Sequence, residues 1–215
     1  MNRTEIKSMA KAQIKGKIGI LFVIALIATV LSSVASAILS IIPYAGAVAS
    51  SILVSAPLAL GSIMVYLDVV NSREIKVETL FKGYGDIWNA FVVQFMTGLF
   101  TFLWSLLFIV PGIIKSISYS MAMYILAENK GMNPMEAINK SKEMMNGHKM
   151  EYFVLMLSFI GWSLLGIITC GIGFIWIAPY MSATFANFYN KIKGTPEIIE
   201  TETYIPEEAD NAENI

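Results

Sequence analysis

The strongest constraint on this chain is where its charges are missing. No Asp, Glu, Lys or Arg occurs at 18–67, 87–114, 116–127 or 152–190. A helix needs roughly 20 predominantly apolar residues to cross the hydrocarbon core of a bilayer. The first and last runs are each long enough for two crossings and a turn, and the middle two give one crossing each on either side of Pro111-Gly112. The chain is therefore predicted to be all-α and polytopic, with six transmembrane helices near 18–42, 47–67, 87–110, 113–127, 152–169 and 174–190. Composition agrees: 56% of residues are hydrophobic and 14% charged, far from a soluble globular domain. A single cysteine, Cys170, on a predicted outer corner, leaves no intramolecular disulfide, so helix packing must hold the fold.

The polar segments follow a pattern of their own. In TEIKSMAKAQIKGK, Ile6, Met9, Ala10, Gln13 and Ile14 share one helical face, and Lys7, Lys11 and Lys15 share another. The stretch 4–16 is thus predicted to be a basic interfacial helix leading into the first crossing. The basic start, apolar run and Ala35-Ser36-Ala37 also imitate a cleaved signal, but the apolar run continues through Ile42 as a full-length span. A second interfacial helix is predicted over 73–83, where Val77, Leu80, Phe81 and Tyr84 recur at helical spacing. A third spans 134–146. There Asn133 can cap, Pro134 can open the helix, Glu136 can complete a capping box and Asn146-Gly147 can end it. Its predicted apolar stripe is Met135, Ile138 and Met145, flanked by Ala137 and Met144, opposite Glu136, Lys140 and Glu143.

Each polar segment precedes a helical hairpin, with a glycine at each junction: Gly16, Gly83 and Gly147. Trp104-Ser105-Leu106-Leu107 recurs as Trp162-Ser163-Leu164-Leu165, and Ala56-Pro57 as Ala178-Pro179. The pattern suggests three degenerate copies of one unit. Two small-residue stripes, Ala28/Ser32/Ser36/Ser40 and Ala47/Ser51/Ser55/Ala59, are predicted to face each other across the first corner. Small residues let helices approach closely, and lipid supplies no hydrophobic force to press them together.

Orientation follows from the bases. With the N-terminus inside, the inner segments carry five, three, four and two Lys or Arg, and the outer corners carry only Lys115. That satisfies the positive-inside rule and places both termini in the cytoplasm. Residues 1–193 form the membrane domain, and 194–215 a disordered acidic cytoplasmic tail. The tail holds seven acids and no base, which leaves 9 acids against 15 bases in the rest. Anionic head groups are the expected partners of that excess.

No cluster of nucleophile, base and acid is present, and there is no metal-ligand spacing, phosphate loop or nucleic-acid pattern. The chain is accordingly expected to be no enzyme and to need no cofactor. Four residues are candidate contacts for a partner or lipid. Lys115 is the one outer charge, with snorkelling as the competing explanation. Glu136, Ser141 and His148 are the polar residues of the 128–151 interlude, where packing is the competing role. Asp68 is a weaker candidate, as a cation or proton site.

Several ordered motifs resemble a known family. They are Val110-Pro111-Gly112-Ile113-Ile114-Lys115, Tyr119-Ser120-Met121, Glu136-Ala137 with Ser141, Met145 and Gly147-His148, then Ser158-Phe159-Ile160-Gly161-Trp162, Gly171-Ile172-Gly173 and Pro179-Tyr180. With Pro57-Leu58, Gly61 and Leu80-Phe81, they resemble the domain-of-unknown-function 975 family of bacterial integral membrane proteins, over about 1–193. The resemblance implies a multi-pass membrane protein and transfers no activity. More loosely, the hairpins are similar to the membrane domain attached to some glycerophosphodiester phosphodiesterases, whose soluble catalytic half is missing here. The expected role is a non-enzymatic accessory, scaffold or immunity-type partner of envelope components, acting with a membrane-protein partner or as a homo-oligomer. A transporter or channel subunit is the rival, and a lipid enzyme stands third.

Overall fold

The computed structural model describes residues 3–39, 41, 45–169 and 171–194. Among them every regular element is helical. The Pro43-Tyr44 corner, Ser40, Cys170 and the acidic tail beyond Gly194 lie outside the described residues, as does the side chain of Ala47.

Five stretches are long and apolar enough to cross a membrane: Ile18–Leu39, Val48–Val70, Val77–Leu107, Ile109–Glu128 and Lys149–Ile168. The sixth predicted crossing, Phe174–Lys193, is a 20-residue helix but is not among them. The reason lies in its surroundings. It buries Thr184 and Asn187 beside Ala183, Ala186, Phe188 and Tyr189, and a helix lined by protein on most sides can carry polar groups that lipid would not tolerate.

That helix, α12, and α4 (Ala56–Val70) form the centre. Around them pack α1 (Arg3–Ile14), α2 (Ile18–Leu39), the short α3 (Ala45–Ser50), α5 (Val77–Phe81), α6 (Ile87–Leu107), α7 (Ile109–Tyr119), α8 (Ala122–Glu128), α9 (Pro134–Met144), α10 (Lys149–Leu157) and α11 (Ile160–Ile168). The first helix lies along α12, and α8 bridges α4 and α9. The core runs from Ile6 and Ala10 through Leu60, Val65, Ile125, Leu126 and Ile138 to Phe188 and Tyr189. The far ends of α2, α6, α7 and α11 instead expose Val34, Ile38, Leu106, Ile109 and Ile168, an apolar surface that lipid tails would cover.

Three of the predicted crossings are not continuous α-helices. The second passes through a π turn at Ser51–Ser55 immediately before Pro57. Proline lacks an N–H and its ring crowds the carbonyl four residues back, and the widened turn relieves both conflicts. The fourth breaks between α7 and α8 at Ser120-Met121, and the fifth at Ser158-Phe159 between α10 and α11.

The corner between the third and fourth crossings corrects the sequence reading. It falls at Phe108, whose backbone is extended (φ −157°, ψ 140°), rather than at Pro111-Gly112. Pro111 lies in the first turn of α7, where its missing donor would have no intrahelical partner anyway. The proline therefore starts a helix instead of ending one. Gly112 serves packing: a Cβ there would stand 2.1 Å from Ser105 Oγ, so α6 and α7 meet backbone against backbone.

The junction glycines divide in the same way. Gly16 (φ 79°) and Gly147 (φ 85°) take left-handed turns into the helix that follows. Gly83 does not. It lies in a 3-10 segment, Lys82–Asp86, pressed so closely on α4 that a Cβ would fall 2.0 Å from the Pro57 carbonyl oxygen. Gly61 makes the reciprocal approach, with a Cβ position 1.8 Å from the Leu80 carbonyl oxygen. The predicted 73–83 helix is accordingly short, Val77–Phe81, and docked against α4. Of the two stripes, Ser36 hydrogen-bonds Ser50 at 3.0 Å, one residue from the predicted Ser51. Ser51 and Ser55 turn back to the carbonyls of Val48 and Ser51.

Candidate functional site

The four candidate residues do not come together. Lys115 places its ammonium 4.7 Å from the centre of the Trp104 ring, across the α6–α7 corner. Ser141 is fully buried on α9; its hydroxyl donates to the Ser118 carbonyl (2.8 Å) and accepts from the Met121 N–H (3.2 Å). It thereby satisfies backbone groups at the α7–α8 break. Glu136 is exposed, and of the capping box only the Asn133 half forms, through Met135 N–H. His148 pairs with Glu151 at 3.0 Å on the first turn of α10. The buried stripe of α9 is Ala137, Ile138, Ser141 and Met145, while Met135 is exposed. The stripe has rotated by one position to seat a serine where the neighbouring helix breaks.

A different set of side chains converges at the end of the bundle where α4 ends and α8, α9 and α12 meet. Asp68, Arg73, Thr79, Lys82, Glu128, Asn129, Lys130, Lys140, Tyr189 and Lys193 line a cleft of about 450 Å³, floored by Met64, Leu67, Ala127 and Met144. Its two carboxylates are occupied. Asp68 faces Arg73 at 3.6 Å; Glu128 accepts from Tyr189 Oη at 2.7 Å and from Lys193. Lys82, Lys130 and Lys140 have no carboxylate within ion-pair distance among the described residues, which leaves the cleft with an excess of three cations.

Local structure holds those cations in place. Lys82 sits on the 3-10 segment that Gly61 and Gly83 clamp to α4. Lys130 rides on the α8–α9 loop, which Asp86 ties down by accepting from the Gly131 N–H at 3.0 Å while also holding Asn89. Behind the cleft a line of amides joins three helices. Gln13 donates to the Val70 carbonyl and accepts from Asn187 at 2.6 Å, Asn190 donates to Asn71, and Lys191 pairs with Glu5 at 3.1 Å. Sequence periodicity put Gln13 on the buried face of α1 but gave no sign that its partner was 174 residues away.

A second feature lies on the opposite flank of α1. Lys7, Lys11 and Lys15 follow one another at four-residue spacing. Lys7 donates to the Ser158 carbonyl at 3.3 Å, at the α10–α11 break, and stacks over the Phe159 ring at 4.1 Å. Burial, with Arg3 nearby, holds its ammonium below the ordinary lysine range. Lys11 and Lys15 instead border an apolar groove of about 370 Å³, walled by Ile14, Ile18, Trp162, Trp176, Ile177 and Tyr180. No group of three or more His, Cys, Asp or Glu suited to a metal ion occurs among the described residues.

Comparison with known proteins gives one relationship. No curated protein and no solved structure matches the chain. One family model does, over residues 1–118 and 107–195, which together take in all the described residues. The family is recorded as protein of unknown function, and its coverage includes both the cleft and the groove. On that match, and with the resemblance carried by the 110–115 and 158–162 motifs, the chain belongs to the DUF975 family.

Proposed function

We propose that the chain is a multi-pass protein of the bacterial cytoplasmic membrane that acts without catalysis, as an accessory or scaffold for other envelope components, the immunity-type partner included. In this reading six helices cross the bilayer as three hairpins, α12 being the sixth, and the α5 segment and α9 lie at the cytoplasmic surface; α1, expected from the sequence to lie there too, packs lengthwise along α12 and the α10–α11 break instead. Both termini and the charged cleft then face the cytoplasm, where the bases are concentrated.

The observation that carries the reading is the cleft. Five stretches of the chain, 64–73, 79–82, 127–130, 140–144 and 189–193, converge there, and three of its lysines have no carboxylate partner among the described residues. A rigid cationic recess of this kind suits an acidic segment of a partner, which electrostatics would steer to it and hold in register. Its lining sets one hydroxyl, Tyr189, on a carboxylate, Glu128, but Lys193 holds that same carboxylate, so the arrangement suits recognition more than catalysis.

Affinity purification of the full chain after cross-linking in native membranes tests the proposal. A reproducible protein partner is expected, and Lys82→Gln with Lys140→Gln should reduce its recovery several-fold. Solute or lipid flux through liposomes containing the chain alone, with no partner recovered, would instead mark a transporter subunit.

A further inference from the structure

We propose that the groove between α1, α11 and α12 is a binding site for a single anionic phospholipid, with Lys11 and Lys15 on its phosphate and Trp162, Trp176, Ile177, Ile14 and Ile18 along an acyl chain. The site is separate from the cleft, and its chemistry rests on three observations.

The first is the division of labour along one face of α1. Lys7 is spent on the Ser158 carbonyl and the Phe159 ring, which fixes α1 against the α10–α11 break. Lys11, one turn further on, and Lys15, just past the end of α1, border the groove with no acidic partner among the described residues. Two ammonium groups at four-residue spacing match a phosphate more closely than a neutral head group.

The second is the groove itself. Apart from the two lysines it is walled by isoleucines and aromatic rings, and about half of each tryptophan is exposed: 49% for Trp162 and 56% for Trp176. Trp162 stands edge-on to Tyr180, with ring centres 6.4 Å apart, which gives the wall a fixed shape. A soluble anion has no use for such a wall, whereas an acyl chain does.

The third is the contrast with Lys115. That residue also pairs with a tryptophan, but it covers the ring face of Trp104 and does not line this groove. It supplies an internal control of matched chemistry.

The test uses the purified full chain in nanodiscs of phosphatidylcholine and follows quenching of tryptophan fluorescence by lipids with brominated acyl chains. Brominated phosphatidylglycerol should quench at a mole fraction roughly ten- to thirtyfold lower than brominated phosphatidylcholine, the preference that two lysines facing an anionic head group supply. Lys11→Gln with Lys15→Gln should abolish the preference, and Lys11→Arg with Lys15→Arg should restore it. Trp162→Phe with Trp176→Phe should remove the selective quenching and leave the unselective part from Trp88 and Trp104. Equal quenching by the two lipids would overturn the proposal. So would a preference that survives the double glutamine variant while Lys115→Gln removes it. Inorganic phosphate that shifts the tryptophan emission by itself, without an acyl chain, would reassign the site to a soluble anion. Circular dichroism and elution volume unchanged from wild type confirm that each variant is folded.

Discussion

Ser141 shows how a residue's environment decides between a site and a support. Its hydroxyl joins the Ser118 carbonyl and the Met121 N–H, two groups stranded where α7 gives way to α8. Ser141→Ala would leave both unpaired in a fully buried position, at a cost of about 1–3 kcal/mol. The expected outcome is a lower thermal midpoint in detergent, with partner recovery per folded molecule unchanged. A loss of partner at unchanged stability would return Ser141 to the contact surface. Gly61 and Gly83 act through space rather than hydrogen bonds. A methyl at either meets backbone oxygen at 2 Å or less, so Gly83→Ala should destabilise by roughly 1–3 kcal/mol or more. Gly98→Ala, with nothing within 4 Å of its Cβ position inside α6, should be neutral or gain up to about 1 kcal/mol. Thermal unfolding of the two variants side by side separates tight approach from mere flexibility. The sequence marked Gly83 as a junction, but a glycine letter cannot say whether it serves a left-handed turn, as Gly16 and Gly147 do, or a close contact.

Elements were legible where a local rule governs them and not where a distant partner does. The start of α9 is the clearest success: Asn133 caps, Pro134 opens and the helix ends by Met145, as cap chemistry and the Asn146-Gly147 stop imply. Pro111 shows the limit. The same residue type stops a helix from within and starts one from its first turn, and only packing against Ser105 decided which. Pro57 and Pro179 diverge similarly, the first opening α4 behind a π turn and the second lying inside α12, so the Ala-Pro echo does not mark equivalent positions. The π turn itself leaves no sequence signal except the proline that follows it. It predicts a measurable effect: Pro57→Ala should let the turn relax toward α-helix, shift the register of Val48–Ser55 relative to α2 and disturb the Ser36–Ser50 contact. Cysteine pairs at Ser36 and Ser50 would cross-link readily in the parent protein and at a lower rate with Pro57→Ala; equal rates would show that the π turn does not depend on the proline.

At the scale of the whole molecule, the arrangement of charge gave the strongest sequence reading, and it led to the general character of the fold but not to its centre. Charge-free runs identified the five apolar stretches because hydropathy needs no partner to be read. They also suggested that α12 was one crossing among equals. In the structure it is the element that α1 and α4 both pack on, and it carries Asn187, Asn190 and Tyr189 into the seam behind the cleft. Those polar residues lower its hydropathy below that of the five apolar stretches while tying it to α1, α4 and α8. If α12 crosses the bilayer, as proposed, its two ends lie on opposite sides: Gly171 outside, and Gly194 inside beside Lys191 and Lys193. Single cysteines at Gly171 and Gly194, in a chain with Cys170→Ser, can be probed with a membrane-impermeant maleimide on intact cells. Labelling at 171 without permeabilisation, and at 194 only after it, is the expected pattern. Labelling of both from the same side would make α12 a buried helix that does not span, reduce the crossings to five and place the two ends of the described chain on opposite faces. The cleft lined by Lys82, Lys130 and Lys140 would then need its sidedness established independently of the C-terminal end.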